Sequence, residues 1–208
     1  MKRGRIGVMG GSFNPVHIGH LMVADYVRQQ ANLDEVLMML SPRNPLKSDA
    51  DNLADDTQRM EMLRIACADY KGLTPCDIEL SMPRPSYTID TLNALSSKYP
   101  EYDFTLIIGS DNWQLFDRWR ASQEIIERYG VIVYPRPDYR IDTPLPAGVT
   151  LVEAPTVNLS GTFVRNAISQ GVNVDVFLPK GVYNYIIEHK VYDPTIMNNI
   201  LYGNVTNT

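Results

Sequence analysis

Two short apolar runs separated by a helical period open the chain, and this arrangement restricts the fold more than any other feature. Ile6-Gly7-Val8-Met9 is apolar and ends in Gly10-Gly11, which reads as a buried strand running into a sharp turn. From about Ile18 to Gln30, Leu21, Ala24 and Val27 recur at helical spacing, and Asp34 to Leu40 is a second buried strand. A strand, a helix and a strand in so little chain form a βαβ unit, which requires a parallel sheet and a right-handed crossover. The alternation continues with helices over 55–70 and 87–99 and strands over 73–80 and 103–108. One or two short helices follow within 112–128, then strands over 131–134 and 150–153 and helices over 163–169 and 181–189. The pattern predicts an α/β fold, a doubly wound, Rossmann-like parallel sheet with helices on both faces and ligand loops at the carboxyl ends of the strands. Residues 1–192 are expected to form a single domain and 193–208 a polar C-terminal tail.

Composition narrows the function. Of the 208 residues, 44% are apolar, enough to bury a sizeable core. The net charge of −5 argues against a nucleic-acid partner while leaving room for a local basic pocket that takes phosphates. Cys67 and Cys76 form neither a disulfide framework nor a metal site, which fits a reduced, cytoplasmic setting. The apolar run after the basic start is too short for a signal peptide or a membrane span.

The sharpest chemistry sits between the first strand and the first helix, in Gly10-Gly11-Ser12-Phe13-Asn14-Pro15-Val16-His17-Ile18-Gly19-His20. The glycine pair lets the backbone turn tightly and approach a ligand. The helix start presents free N–H groups and a positive dipole end, suited to phosphate. His17 and His20, at i and i+3, share one helix face, and Gly19 between them leaves room for a base or phosphate. Two imidazoles so placed can donate to phosphate oxygens and to the charge that develops on them. A glycine pair is often only a turn, and a lone histidine is usually structural. Half a zinc site is a further reading, but no nearby Cys or His completes one.

This segment resembles the signature of the nucleotidyltransferase superfamily, in which [HT]-x-G-H follows G-G-[ST]-F-[DN]-P, and every position from Gly10 to His20 matches. From about Ile6 to His189 the chain resembles one branch, the bacterial nicotinate-nucleotide adenylyltransferases. The resemblance implies adenylyl transfer from ATP to nicotinate mononucleotide. It makes His17, His20, Lys47 and Arg165 the catalytic set. Lys47 lies in Pro42-Arg43-Asn44-Pro45-Leu46-Lys47, which resembles the family's P-x-x-P-x-K loop. Arg165 lies in Asn158-Leu159-Ser160-Gly161-Thr162-Phe163-Val164-Arg165, which resembles the second signature; there Gly161 replaces the usual small hydroxyl residue. Gly10, Gly11, Ser12, Phe13, Gly19, Ser160 and Thr162 are implied to hold ATP and its phosphates, and Gly109 and Asp111 to line the adenosine site. Ser86-Tyr87-Thr88-Ile89-Asp90-Thr91-Leu92 resembles the segment that reaches the pyridine carboxylate through Thr88. Trp119 matches a tryptophan that stacks on the pyridine ring. Arg120 departs from the aromatic or imidazole residue expected in some relatives, and an arginine there could pair with the carboxylate directly. Arg136-Pro137 resembles a position near the adenine, or forms only a turn.

In this reading the mononucleotide phosphate is already an anion and needs no side-chain nucleophile, so the protein positions both substrates and stabilises charge. Magnesium is expected to arrive with ATP, with no dedicated metal site. Small-molecule substrates are the expected partners, with a homo-oligomer left open. Other readings are the amide-form mononucleotide or another phosphorylated acceptor, such as phosphopantetheine, and a non-catalytic nucleotide sensor.

Overall fold

The computed structural model describes residues 3–42 and 54–192. Six strands form one sheet in the order β3-β2-β1-β4-β5-β6, and every neighbouring pair is parallel. The strands are β1 (Gly4–Gly11), β2 (Glu35–Leu40), β3 (Leu73–Cys76), β4 (Tyr102–Gly109), β5 (Val131–Tyr134) and β6 (Val149–Leu151). Between and after them run α1 (Ile18–Gln30), α2 (Asp56–Cys67), α3 (Thr88–Lys98), α4 (Ser110–Trp113), α5 (Ser122–Tyr129), α6 (Gly161–Ser169) and α7 (Val182–Glu188). The expected doubly wound fold is present.

The period of two along each strand explains why both faces are covered. Ile6, Val8, Leu106, Ile108, Val131 and Val133 point into one core with α3 and α5, through Ile89, Leu92, Leu95, Ile125 and Ile126. Met9, Ile107 and Ile132 point the other way, into a core shared with α1, α2, α6 and α7. On that side Gly7 is required by packing: a Cβ there would stand 2.5 Å from Ile107 Cδ1 and 2.8 Å from Leu33 Cδ1. The chain winds outward from β1 to β3, returns through α3, and continues from β4 to β6. The switch point therefore lies between β1 and β4, where a crevice opens beyond the strand ends. Gly10 and Gly11 finish one strand at that crevice and Gly109 finishes the other.

Several boundaries differ from the sequence expectation. The strand expected over 73–80 stops at Cys76 and gives way to a 3₁₀ turn, Ile78–Ser81. Pro75 is tolerated inside it because β3 is an edge strand. Of the one or two short helices expected within 112–128 there are two, α4, which starts earlier at Ser110, and α5, with a 3₁₀ turn (Phe116–Arg118) between them and Ala121 at φ 54 directly before α5. The helix expected from Phe163 starts two residues earlier, at Gly161. The strand expected over 150–153 ends at Leu151. Lys47 and the tail 193–208 lie outside the described residues.

Candidate active site

The turn after β1 is shaped by aromatic packing. Phe13 sits at φ 43 with its ring fully buried, folded back against Gly11, where a Cβ would stand 2.9 Å from the ring. The chain then enters α1 with His17 as its N-cap rather than as a residue of its first turn. The two histidines nevertheless meet: their rings stack with centroids 3.7 Å apart, and the edge of Phe13 abuts His20. The His17 backbone N–H donates to His20 Nδ1 at 3.2 Å, the reach-back half of a capping box. A neutral His20 that accepts at Nδ1 carries its proton on Nε2, which is left to donate elsewhere. His17 Nδ1 is buried without a hydrogen-bond partner. A Cβ on Gly19 would press on this ring at 3.2 Å, so the glycine accommodates the histidine.

Burial, then the Arg136 guanidinium, pull the His17 pKa from 6.5 down to about 4. His20 is held well below its ordinary value by burial, by His17 and by Arg136. Both rings are therefore neutral donors or acceptors near neutrality. Arg136, which the sequence left as a turn or an adenine neighbour, lines the histidine cleft together with Met9, Tyr134 and Leu159. Its backbone N–H donates to the buried Ser110 Oγ at 2.8 Å, and its side chain lies against Gly109, where a Cβ would come within 2.8 Å of Arg136 Cγ. The same hypothetical Cβ would collide with Asp111 Oδ1, so Gly109, Asp111 and Arg136 meet at the end of β4. Tyr134, beside them, is pushed up to about 12 by burial.

The second signature reaches the first. Ser160 caps α6 by accepting from the Phe163 N–H at 3.2 Å. Arg165 Nη1 donates to the Asn14 carbonyl oxygen at 2.7 Å and Nη2 to Thr162 Oγ1 at 3.2 Å. Gly161 lies so close that a Cβ on it would stand 2.5 Å from Asn14 O. Asn14 Oδ1 in turn accepts from the Ala54 N–H at 3.1 Å and from the buried Tyr192 hydroxyl at 2.7 Å. Asn14 is thus a junction of four chain segments, a role its place in the motif did not announce. Arg165 spends two donors within the protein, and a guanidinium has five.

The third group stands on α3 and the 3₁₀ turn before α5. Thr88 is the first residue of α3; the cap position belongs to Tyr87, with no side-chain cap. Arg120 is exposed, pairs with Asp90 at 3.2 Å, and lies over the Tyr87 ring, 4.9 Å from its centroid. These contacts bring the Thr88 segment and the Trp119-Arg120 pair together. Trp119 packs against Phe116 with centroids 5.2 Å apart, and its Nε1 is buried without a partner. Asp90 and Tyr87 lie in the motif around Thr88, but nothing in their spacing points to Arg120.

The family model described as cytidylyltransferase-like matches residues 8–167, a span holding both signatures and the crevice. A probable nicotinate-nucleotide adenylyltransferase of Bacteroides fragilis is 44% identical over 90% of this chain and 94% of its own length. A second, from Bacteroides thetaiotaomicron, is 45% identical over 89% and 92%. The chain belongs to the nicotinate-nucleotide adenylyltransferase family. The fold agrees: the Plasmodium falciparum nicotinic acid mononucleotide adenylyltransferase complexed with NaAD superposes with a TM-score of 0.73 at 20% identity, covering 91% of this chain and 97% of that one. In this nicotinate-nucleotide adenylyltransferase family member no helix among the described residues is long and apolar enough to cross a membrane.

Proposed function

We propose that the protein transfers the adenylyl group of ATP to nicotinate mononucleotide in the cytoplasm, forming deamido-NAD and pyrophosphate. The observation that carries this reading is the 2.7 Å bond from Arg165 to the Asn14 carbonyl, which fastens the second signature onto the first at the switch-point crevice. An oxygen of the mononucleotide phosphate attacks the α-phosphorus of ATP in line, the bond to the β-phosphate's bridging oxygen breaks, and pyrophosphate departs. The His20 Nε2–H and the His17 ring face charge developing at the α-phosphate. Ser12, Ser160, Thr162, Lys47 and the remaining Arg165 donors hold the leaving phosphates, assisted by the free N–H groups of α1 and α6. Placing a triphosphate beside neutral imidazoles raises their pKa values and favours donation to its oxygens. Gly109 and Asp111 flank the adenosine, while Thr88, Trp119 and Arg120 receive the pyridine ring and its carboxylate. Magnesium enters bound to the ATP phosphates as part of that substrate.

Pyrophosphate release, measured with ATP and a panel of phosphorylated acceptors, tests the proposal. Nicotinate mononucleotide should give the highest kcat/KM, above nicotinamide mononucleotide and phosphopantetheine. Preference for another acceptor, or ATP binding without pyrophosphate release, would reject it.

A further inference from the structure

Arg59, on α2, has no part in the chemistry above, yet its side chain is fully buried. A buried guanidinium is costly unless its donors are met. Here Nε donates to Ala54 O at 3.0 Å. Nη1 donates to Ser12 O at 2.5 Å and to Ser41 O at 3.1 Å, and Nη2 to Pro42 O at 3.3 Å. Nη2 also pairs with Asp56, whose other oxygen takes Arg84 Nη2 at 2.7 Å from the loop before α3. One cation thus gathers carbonyls from the turn after β1, the exit of β2 and the approach to α2.

We infer that Arg59 is a positioning residue for the phosphate end of the crevice, an inference that rests on the function proposed above. A peptide unit is planar and trans, so fixing the Ser12 carbonyl toward Arg59 aims the Phe13 N–H of the same unit the opposite way, away from α2. Phe13 is held there at φ 43, a conformation few side chains adopt unaided. The turn so fixed leads directly to Asn14, whose carbonyl receives Arg165. Lysine keeps the charge but not the fork that reaches four carbonyls at once.

The test uses Arg59→Lys and Asp56→Asn in the full chain, with pyrophosphate release at saturating mononucleotide and varied ATP, and with thermal unfolding alone and with ATP. Arg59→Lys should unfold cooperatively, lose about 10²-fold in kcat/KM for ATP, and lose most of the ATP-induced rise in melting temperature. Its KM for the mononucleotide should move by less than about threefold, and Asp56→Asn should shift in the same directions by a smaller factor. Should Arg59→Lys fail to fold, Asp56→Asn carries the test. A folded variant whose kcat/KM for ATP stays within about threefold of the parent overturns the inference. So does a smaller active fraction with both KM values and the ATP-induced rise unchanged, since that marks a purely structural residue. An inactive parent would instead reject the proposed reaction, and the ATP-induced rise would still report on Arg59.

Discussion

Gly161→Ala sets two physical effects against each other with opposite signs. At a helix start with no positive φ, replacing glycine by alanine should favour the helix by up to about 1 kcal/mol. The new Cβ, however, would stand 2.5 Å from Asn14 O and 3.1 Å from Asn14 C, both backbone atoms that no rotamer change can withdraw. Reaching ordinary contact requires α6 to retreat by about 0.9 Å, taking Arg165 with it. The 2.7 Å bond from Arg165 to Asn14 O then stretches beyond hydrogen-bond range. Overpacking costs about 1–3 kcal/mol and a lost bond to a charged donor about 1.5–3 kcal/mol, although retreat relieves part of the first as it incurs the second. The net expectation is a loss of about 2 kcal/mol, a fall in melting temperature of roughly 4–8 °C for a chain of this size. Displacing one signature from the other by that distance should also lower kcat by about tenfold to a hundredfold. Thermal unfolding and pyrophosphate release on the same preparation read both. A variant as stable as the parent, or more so, with undiminished turnover would show that the two signatures are not pressed together.

Three further outcomes are expected. His20→Ala should lower kcat by about 10²–10³-fold while unfolding near the parent temperature, measured by steady-state kinetics beside a melt. The His17 pKa is depressed in the folded state, so folding excludes a proton: stability is fully present above pH 6.5 and is lost as pH falls toward about 4. Melting temperatures measured across that window should fall less steeply in His17→Gln than in the parent, and parallel curves would contradict the assignment. Arg120→Ala should reduce kcat/KM for nicotinate mononucleotide by about tenfold more than for the nicotinamide form, an effect that weakens with salt because the residue is exposed.

What could be read from the chain and what could not have separate physical causes. The first βαβ unit was legible because Ile6, Val8, Leu21, Ala24 and Val27 follow the periods of a strand and a helix, and periodicity is a local signal. The meeting of His17 and His20 was legible because their spacing of three places both rings at one helix start, where Gly19 leaves them room to stack. Arg59 stayed hidden: Met60, Leu63 and Ala66 account for the buried face of α2, and nothing local indicates that a neighbouring guanidinium is fully buried among carbonyls from distant segments. That 112–128 could hold two short helices was legible, but the place where the chain turns into α5 was not, since alanine at φ 54 carries no compositional mark. Arg136 could be read either as an adenine neighbour or as a turn residue, because its place depends on the cleft it lines, formed from β1, α1 and β5 together.

The bond between Asn14 and Tyr192 spans 178 positions of the chain. During synthesis the two imidazoles leave the ribosome well before the hydroxyl that braces their loop. A nascent chain halted short of that tyrosine would therefore lack a brace on the turn that leads into the two histidines.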